Sequence, residues 1–326
     1  MNSEQHPKFA PTEDIDSVIG AELVVGSSLW RDAWRRLLKN KLAVLGMIVV
    51  VVIALAAVIG PTVIQRATGY AYDVIPKDTR LNKSFPPFRS PEGGFSWTHP
   101  MGTDNAGRDI LARVRSGGQI SLMVALIATL VSLVIGVSYG AIAGYVGGRI
   151  DDVMMRVVDV LYSLPYVIIV IVLLALLPAK TPTGQLAELF FALGAVSWLT
   201  MARIVRGQVM SLKNQDFVLA ARATGVSTPK IIFRHLVPNA LGPVIVYATL
   251  TIPSVMLSEA FLSFLGLGVR PPRVSWGSLA ADGAQTLAIF PWQLIFPGVT
   301  MALMLLSLNF LGDGLRDALD PQMRKQ

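Results

Sequence analysis

The segment LAVLGMIVVVVIALAAVIGPTVI, from Leu42 to Ile64, contains no charged residue. An α-helix rises about 1.5 Å per residue, so this segment is long enough to cross the roughly 30 Å hydrocarbon core of a bilayer. A cleaved signal peptide is the alternative interpretation. The polar segment before it is too long for that, and the apolar run exceeds the roughly 7–15 residues that are usual. The segment therefore predicts an uncleaved transmembrane helix.

The rest of the chain has the composition of an integral membrane protein. Of its 326 residues, 53% are hydrophobic and only 15% are charged, outside the usual balance of soluble domains. The apolar residues are concentrated in five further segments, so about six membrane-spanning helices are predicted, in an all-α fold with both termini on one side. These segments are Ile120–Val146, Val157–Leu177, Leu186–Met201, Ala240–Leu257 and Leu294–Leu311.

A short helix with apolar and basic faces is predicted just before the first span. Trp30, Trp34, Leu37 and Leu38 recur at helical spacing, with arginine and lysine residues between them. This pattern is typical of an amphipathic helix that lies in the membrane interface and contacts lipid. Residues 1–41 are therefore interpreted as a tail that ends in this helix.

The distribution of lysine and arginine predicts the orientation. Basic residues crowd the start of the first span and the segment after the fourth span, and such segments stay on the cytoplasmic side. Residues 1–41, 214–238 and 312–326 are therefore predicted to be cytoplasmic, which places both termini there. The loop 65–119 also holds basic residues, but long loops follow this rule poorly, so it is interpreted as periplasmic. Residues 120–311 then form a core of five helices.

Several classes of function are excluded by what the sequence lacks. It has no cysteine, and its three histidines, His6, His99 and His235, are far apart, so we expect no metal site and no bound cofactor. The net charge of +7 is attributed to contact with anionic lipid, because no basic stripe interleaved with aromatic residues suggests nucleic-acid binding.

We expect no catalytic residue. No phosphate-binding loop of the form Gly-x-x-x-x-Gly-Lys-Ser/Thr occurs, so any ATP and its magnesium must bind to a partner. Asp159 and Asp313 are the candidates for an intramembrane aspartyl enzyme. Each lies at the end of a span beside an arginine, a setting that favours ion pairing over catalysis.

Small and polar residues within the spans suggest packing and transport roles. Gly136, Gly140, Gly144 and Gly148 recur every four residues, which predicts a ridge for close helix packing. Glu259 either lines a solute path or makes structural hydrogen bonds, because an acid close to an apolar segment has a function by default. Further path candidates are Tyr139 and Asn309, and kinks are expected at Pro165, Pro243 and Pro253.

Residues 214–238 are predicted to form two short helices on a cytoplasmic loop. Asn214 is a candidate N-cap of the first helix, and Gly225 supplies its left-handed stop. Thr228 is a candidate cap of the second, with Pro229 at its first position, and Pro238 is expected to end it.

This loop resembles the EAA loop by which bacterial ABC importer permeases dock onto their ATP-binding subunits. The spacing of Ala220-Ala221, Gly225 and Pro238 is kept, whereas Leu219 replaces a glutamate, His235 an isoleucine and Val237 a leucine. The resemblance implies a coupling role for seven residues: Leu219, Ala220, Ala221, Arg222, Gly225, His235 and Pro238.

A second resemblance covers most of the chain. Gly102-Thr103-Asp104, followed by Gly107-Arg108-Asp109, resembles the signature of peptide/nickel importer permeases. So do the segments around Asp152–Arg156 and Gly312–Pro321, and several motifs look most like the oligopeptide branch, in particular the second, C-type, of its two permease subunits.

The resemblance implies a type I ABC importer permease fold in a bacterial inner membrane. The implied partners are a second homologous permease, two ATP-binding subunits and a periplasmic solute-binding protein. The implied solute is a peptide. Nickel chelates or another small solute remain an alternative, as does a gradient-driven secondary transporter, although no internal repeat supports the latter.

Overall fold

The computed structural model describes residues 29–68, 71–75, 83–89, 94–176, 179 and 181–319. Five of its helices are long and apolar enough to cross a membrane, and a sixth crossing results if one bent helix pair counts as a single span. The prediction of about six spans is therefore confirmed. Most of the predicted tail before residue 29, residues 320–326 and parts of the loop 65–119 lie outside the described residues.

The described part of the chain is organised as ten helices in chain order. They are α1 (Leu29–Lys39), α2 (Lys41–Thr68), α3 (Ile110–Val146), α4 (Gly148–Ser163), α5 (Tyr166–Leu176), α6 (Pro182–Leu212), α7 (Asp216–Ala223), α8 (Thr228–Phe264), α9 (Trp276–Gln285) and α10 (Trp292–Leu319).

Helix α3 begins ten residues earlier than the predicted start of its span at Ile120. Asp109 is its N-cap and accepts a hydrogen bond from the backbone N–H of Ala112 at 2.7 Å, which satisfies one of the free donors at a helix start. The first ten residues of α3 have low hydropathy because they include arginines, glycines and a glutamine, so the apolar pattern did not predict them as part of the span. Helix α10 likewise continues eight residues beyond the predicted end at Leu311.

The third span is broken rather than straight. Helices α4 and α5 meet at an angle of 92°, and Leu164 between them has extended backbone angles of −82° and 140°. Pro165 follows it, and a proline disfavours helical geometry in the residue before it and lacks an N–H donor. The kink predicted at this proline is confirmed, and it is a complete break.

Helices α3 and α6 pack closely through three of the four predicted ridge glycines. A Cβ atom on Gly136 would lie 2.6 Å from the Met201 side chain, one on Gly140 would collide with the Ala202 carbonyl oxygen, and one on Gly144 would lie 2.7 Å from the Arg206 carbonyl oxygen. Gly148 does not belong to this ridge. It has φ +57° and no neighbour within 4 Å of its Cβ position, because helix α3 ends at Val146 and the chain turns there.

The predicted N-terminal amphipathic helix is present as α1 and packs on the end of α10. Ala33 and Leu37 are buried with Ala43 and Ala318, and three leucines of α10 complete this small core. These leucines are Leu311, Leu315 and Leu319.

Candidate functional site

The segment 214–238 departs from the prediction in how its helices begin and end. The N-cap of α7 is Gln215, with no side-chain hydrogen bond. The second helix begins after Ser227, so the predicted caps at Asn214 and Thr228 are wrong. Pro238 does not end it either. The helix passes through one π-helical turn at Ile231–Leu236 and continues as α8 to Phe264.

Gly225 ends α7 as predicted. Its φ is +75°, and its N–H donates to the Arg222 carbonyl at 3.0 Å while the Val226 N–H donates to the Ala221 carbonyl at 3.0 Å. These two bonds form a Schellman motif, which requires a left-handed residue at this position.

One face of the segment 214–238 is buried, and the other exposes three large apolar side chains among polar and charged residues. Val218 and Ala221 are buried in a core shared with α3, α6 and the π-helical turn. Phe217, Leu219 and Phe233 are exposed to 36%, 48% and 50%. Exposed large apolar side chains with polar residues around them are typical of a surface that binds another protein.

The remaining residues implicated by the EAA resemblance lie on or beside this surface. Arg222 donates through Nε to the Tyr145 hydroxyl at 3.2 Å, and its guanidinium lies 5.0 Å from the centre of the Tyr145 ring. This contact fixes α7 to the end of α3. Ala220 and Pro238 are exposed, and His235 is half-buried.

A half-open cleft of about 690 Å³ lies between the α4–α5 break, α6 and α8. Eight of its lining side chains are polar and uncharged, and none of its lining residues is charged. The polar side chains are Tyr162, Tyr166, Ser197, Thr200, Tyr247, Thr251, Ser254 and Ser258.

None of the three predicted path residues lines this cleft. Glu259 is 1% exposed and accepts hydrogen bonds from Ser263 and Ser275 at 2.7 and 2.6 Å, so the structural alternative applies to it. Tyr139 donates to the Met154 carbonyl at 2.8 Å. Asn309 lies exposed on α10.

Charged contacts join α6 to α4 at the end of the cleft nearest the segment 214–238. Arg203 donates to Asp159 at 2.8 Å, and its guanidinium lies 4.1 Å from the centre of the Tyr162 ring. One turn further along, Arg206 makes two bonds of 2.6 Å to the buried Asp151. Asp159 is therefore an ion-pair partner, as the alternative to an aspartyl enzyme predicted.

The signature residues fix the start of α3 to the loop before it. Asp104 accepts from the N–H groups of Ala106 and Arg108 at 2.9 Å each, from Arg108 Nε at 2.7 Å, and from Arg113. Asp109 caps α3 and also bonds to His99 Nδ1 at 2.8 Å. Both carboxylates thus act on local structure.

The other signature residues attach this loop to α10. Thr103 bonds through its hydroxyl to the Phe85 N–H at 2.7 Å, and its carbonyl accepts from Trp292 Nε1 and Gln293 Nε2 at 3.2 and 3.3 Å. Gly102 has φ +77°, and a Cβ there would lie 2.5 Å from the Phe85 carbonyl oxygen. Gly107 is also left-handed, at φ +77°.

Comparison with known protein families identifies the class of this chain. Residues 136–325 match the family described as binding-protein-dependent transport system inner membrane component. The chain belongs to this family. Residues 28–87 of the same chain also match the family described as the N-terminal TM domain of oligopeptide transport permease C.

Curated relatives match almost the whole chain. The chain is 50% identical over 302 residues to the oligopeptide transport system permease protein OppC of Escherichia coli K12. This match covers 92% of this chain and 94% of that protein. The chain is 43% identical to the OppC protein of Bacillus subtilis, over 91% of both chains. It is also 43% identical to the dipeptide transport system permease protein DppC of B. subtilis, over 91% of this chain and 87% of that one.

A solved structure supports the fold. The membrane component superimposes on a chain of the inward-facing MetNI methionine ABC transporter with a TM-score of 0.51 and 20% identity. The match covers 65% of this chain and 98% of that chain. The predicted importer permease fold is therefore confirmed for this multi-pass membrane protein.

The residues that line the cleft were not identified from the sequence, although the spacing of some polar residues pointed to them. Tyr247, Thr251, Ser254 and Ser258 are spaced by four, three and four residues, which places them on one face of a helix. A polar stripe on an apolar span indicates a face that avoids lipid. The contributions of α4 and α5 could not be read in this way, because they depend on where the chain breaks.

Proposed function

We propose that this membrane component forms one half of the translocation pathway of an ATP-driven importer for peptides. The observation that carries the proposal is the half-open cleft of about 690 Å³, with its eight polar, uncharged side chains. The relatives named above as oligopeptide and dipeptide permeases support the choice of solute.

The chemistry of the cleft suits peptides of varied sequence. Hydroxyl groups both donate and accept hydrogen bonds. Those of Ser197, Thr251 and Ser258 already donate to carbonyls one turn earlier in their helices, but they can still accept from the N–H groups that peptides carry. A wall without charge neither attracts nor repels charged side chains strongly. A nickel chelate fits less well, because none of the lining residues is a histidine, aspartate or glutamate, the types that bind such metals.

A half-open cleft needs a second wall, and we infer that a second, homologous permease supplies it. The exposed surface of the segment 214–238, formed by Phe217, Leu219 and Phe233, would dock onto one of two ATP-binding subunits. A periplasmic binding protein would deliver the peptide at the opposite end, beside the signature loop. In this arrangement the segment 214–238 and both termini are cytoplasmic, and ATP and magnesium stay on the partner subunits.

The test is uptake by the complete importer in proteoliposomes, with acidic and basic peptides of equal length. Ser254 lines the cleft and is exposed to it, so Ser254→Asp places a carboxylate in the path. At separations of a few ångströms in a wet cleft, we expect the uptake ratio of acidic to basic peptides to fall roughly threefold or more. Asn309→Asp is the matched control, because it adds the same charge on α10 outside the cleft.

Two results would contradict the proposal. An unchanged ratio in Ser254→Asp would show that the peptide does not pass this cleft. Uptake driven by an ion gradient without ATP would favour the secondary transporter instead.

A further inference from the structure

Helix α1 presents three chemically different faces. Successive residues of a helix are about 100° apart, so residues four positions apart share a face. By this spacing the three faces are formed by Ala33 and Leu37, by Trp34 and Leu38, and by Arg31, Arg35 and Lys39.

The first face is occupied by protein. Leu37 is 2% exposed and Ala33 is 8% exposed, and both pack against the last turns of α10. A Cβ atom on Gly314 would collide with Ala43, and Leu37 lies 3.1 Å from the same position. The small core therefore holds α1 in a fixed rotation about its axis, and that rotation determines where the other two faces point.

The second face is apolar and uncovered in the described structure. Trp34 is 54% exposed and Leu38 is 48% exposed. Leaving two large apolar side chains in water is unfavourable by the loss of their burial free energy. Tryptophan is also enriched where a membrane meets water, because its ring is apolar and its N–H is polar.

The position of α1 places this apolar face at the membrane boundary. A single residue, Asn40, separates α1 from the span α2. Its Oδ1 accepts from the N–H groups of Leu42 and Ala43 at 3.1 and 3.2 Å, so the turn is fixed by the cap of α2. Helix α1 thus lies at the end of a helix whose side chains, such as Leu45, are exposed and apolar.

The third face is basic and exposed. Arg31, Arg35 and Lys39 are exposed and lie next to the Trp34–Leu38 face in the order of the helix. We propose that α1 binds the anionic headgroups of membrane phospholipids through this basic face while Trp34 and Leu38 insert between the lipids. The charge complementarity is specific to anionic lipid, because a neutral zwitterionic headgroup offers no net attraction.

Two other occupants of the basic face are outcomes of the test. One is the sequence before α1, which contains five acidic residues, Glu4, Glu13, Asp14, Asp16 and Glu22. The other is an acidic surface on an ATP-binding subunit. Neither explains why an apolar face adjoins the basic one at the membrane boundary, so we favour lipid.

The experiment measures which lipids stay bound to the complete importer in native mass spectrometry. The complex is equilibrated with phosphatidylglycerol and phosphatidylcholine of equal chain length, and the ratio of the two bound lipids is compared among variants. The test variant is Arg31→Gln/Arg35→Gln/Lys39→Gln. Each basic residue near an anionic surface is worth roughly fivefold in affinity at low salt, so the enrichment of phosphatidylglycerol should fall by up to about 100-fold.

The control variant removes two exposed arginines elsewhere, Arg149→Gln/Arg156→Gln, and should keep the enrichment. An equal loss in this control would reduce the effect to bulk charge and overturn the proposal. So would loss of ATP-binding subunits from the triple variant with unchanged lipid ratios. A form lacking residues 2–25 should bind phosphatidylglycerol like the full chain. If enrichment occurs only in that form, the acidic segment is the occupant and the proposal is wrong.

Discussion

The ion pair between Arg206 and Asp151 permits a quantitative test of the contact between α4 and α6. Both bonds are 2.6 Å long, but the two side chains differ in exposure, with 8% for Asp151 and 32% for Arg206. The buried partner depends on the exposed one more than the reverse. Arg206→Gln should therefore cost more stability than Asp151→Asn.

The expected free energies follow from this difference in burial. Removing one partner of a buried pair costs about 3–5 kcal/mol, because the other charge stays buried without compensation. Asp151 lies in the first turn of α4, where the helix dipole stabilises a negative charge, so we expect the lower end, about 3 kcal/mol, for Arg206→Gln. In Asp151→Asn the arginine can reach water, and about 1 kcal/mol is expected, as for a surface pair.

The assay is the melting temperature of the assembled importer in nanodiscs of constant lipid composition. Arg206→Gln should melt lowest, and adding Asp151→Asn to it should restore part of the loss. Arg203→Gln is the matched control, because its partner Asp159 is 62% exposed and the loss should stay below about 1 kcal/mol. The reasoning is refuted if Arg206→Gln melts no lower than Arg203→Gln, or if the double variant shows the simple sum of both losses.

Three further predictions concern packing, coupling and topology. Gly140→Leu should separate α3 from α6 and lower the melting temperature before it alters solute preference, whereas Gly207→Ala, at an open helical position, should be neutral or slightly stabilising. Gly225→Val should cost about 1–2 kcal/mol at its left-handed position and reduce ATP-coupled uptake, and normal coupling would contradict the docking role. This chain contains no cysteine, so single cysteines report topology. Thr98→Cys should react with a membrane-impermeant thiol reagent in intact cells, and Ser227→Cys should react only after lysis. The reverse pattern would show that the predicted orientation is wrong.

The number of spans was readable from the sequence, but their ends were not. The start of α3 holds Arg113, Gly117 and Gly118, which resemble a loop in composition. In the structure a Cβ on Gly118 would lie 2.7 Å from the Trp276 ring, whose Nε1 donates to the Val114 carbonyl at 2.7 Å. Hydropathy measures composition, whereas these residues are shielded by a helix that lies more than 150 positions later in the chain.

Rules that depend on one residue and its neighbours predicted single backbone features better than the way the helices pack together. The left-handed Gly225 and the break at Pro165 follow from one residue each. The 92° angle between α4 and α5 does not, because it depends on what both helices pack against. The glycine period likewise predicted Gly136, Gly140 and Gly144 as close contacts and failed at Gly148, where a left-handed turn follows the end of the helix.

Helix α8 is continuous through its π-helical turn and past Pro243 and Pro253, and this continuity has a mechanical consequence. It runs for 37 residues from Thr228 to Phe264, a distance of about 55 Å at 1.5 Å per residue. A rod of this length that tilts by about 5° moves its far end by roughly 5 Å. Near that end, Glu259 is bonded to Ser275 at the start of α9. A small displacement imposed on the Thr228 end can thus reach α9 through one continuous helix, without passing through any loop.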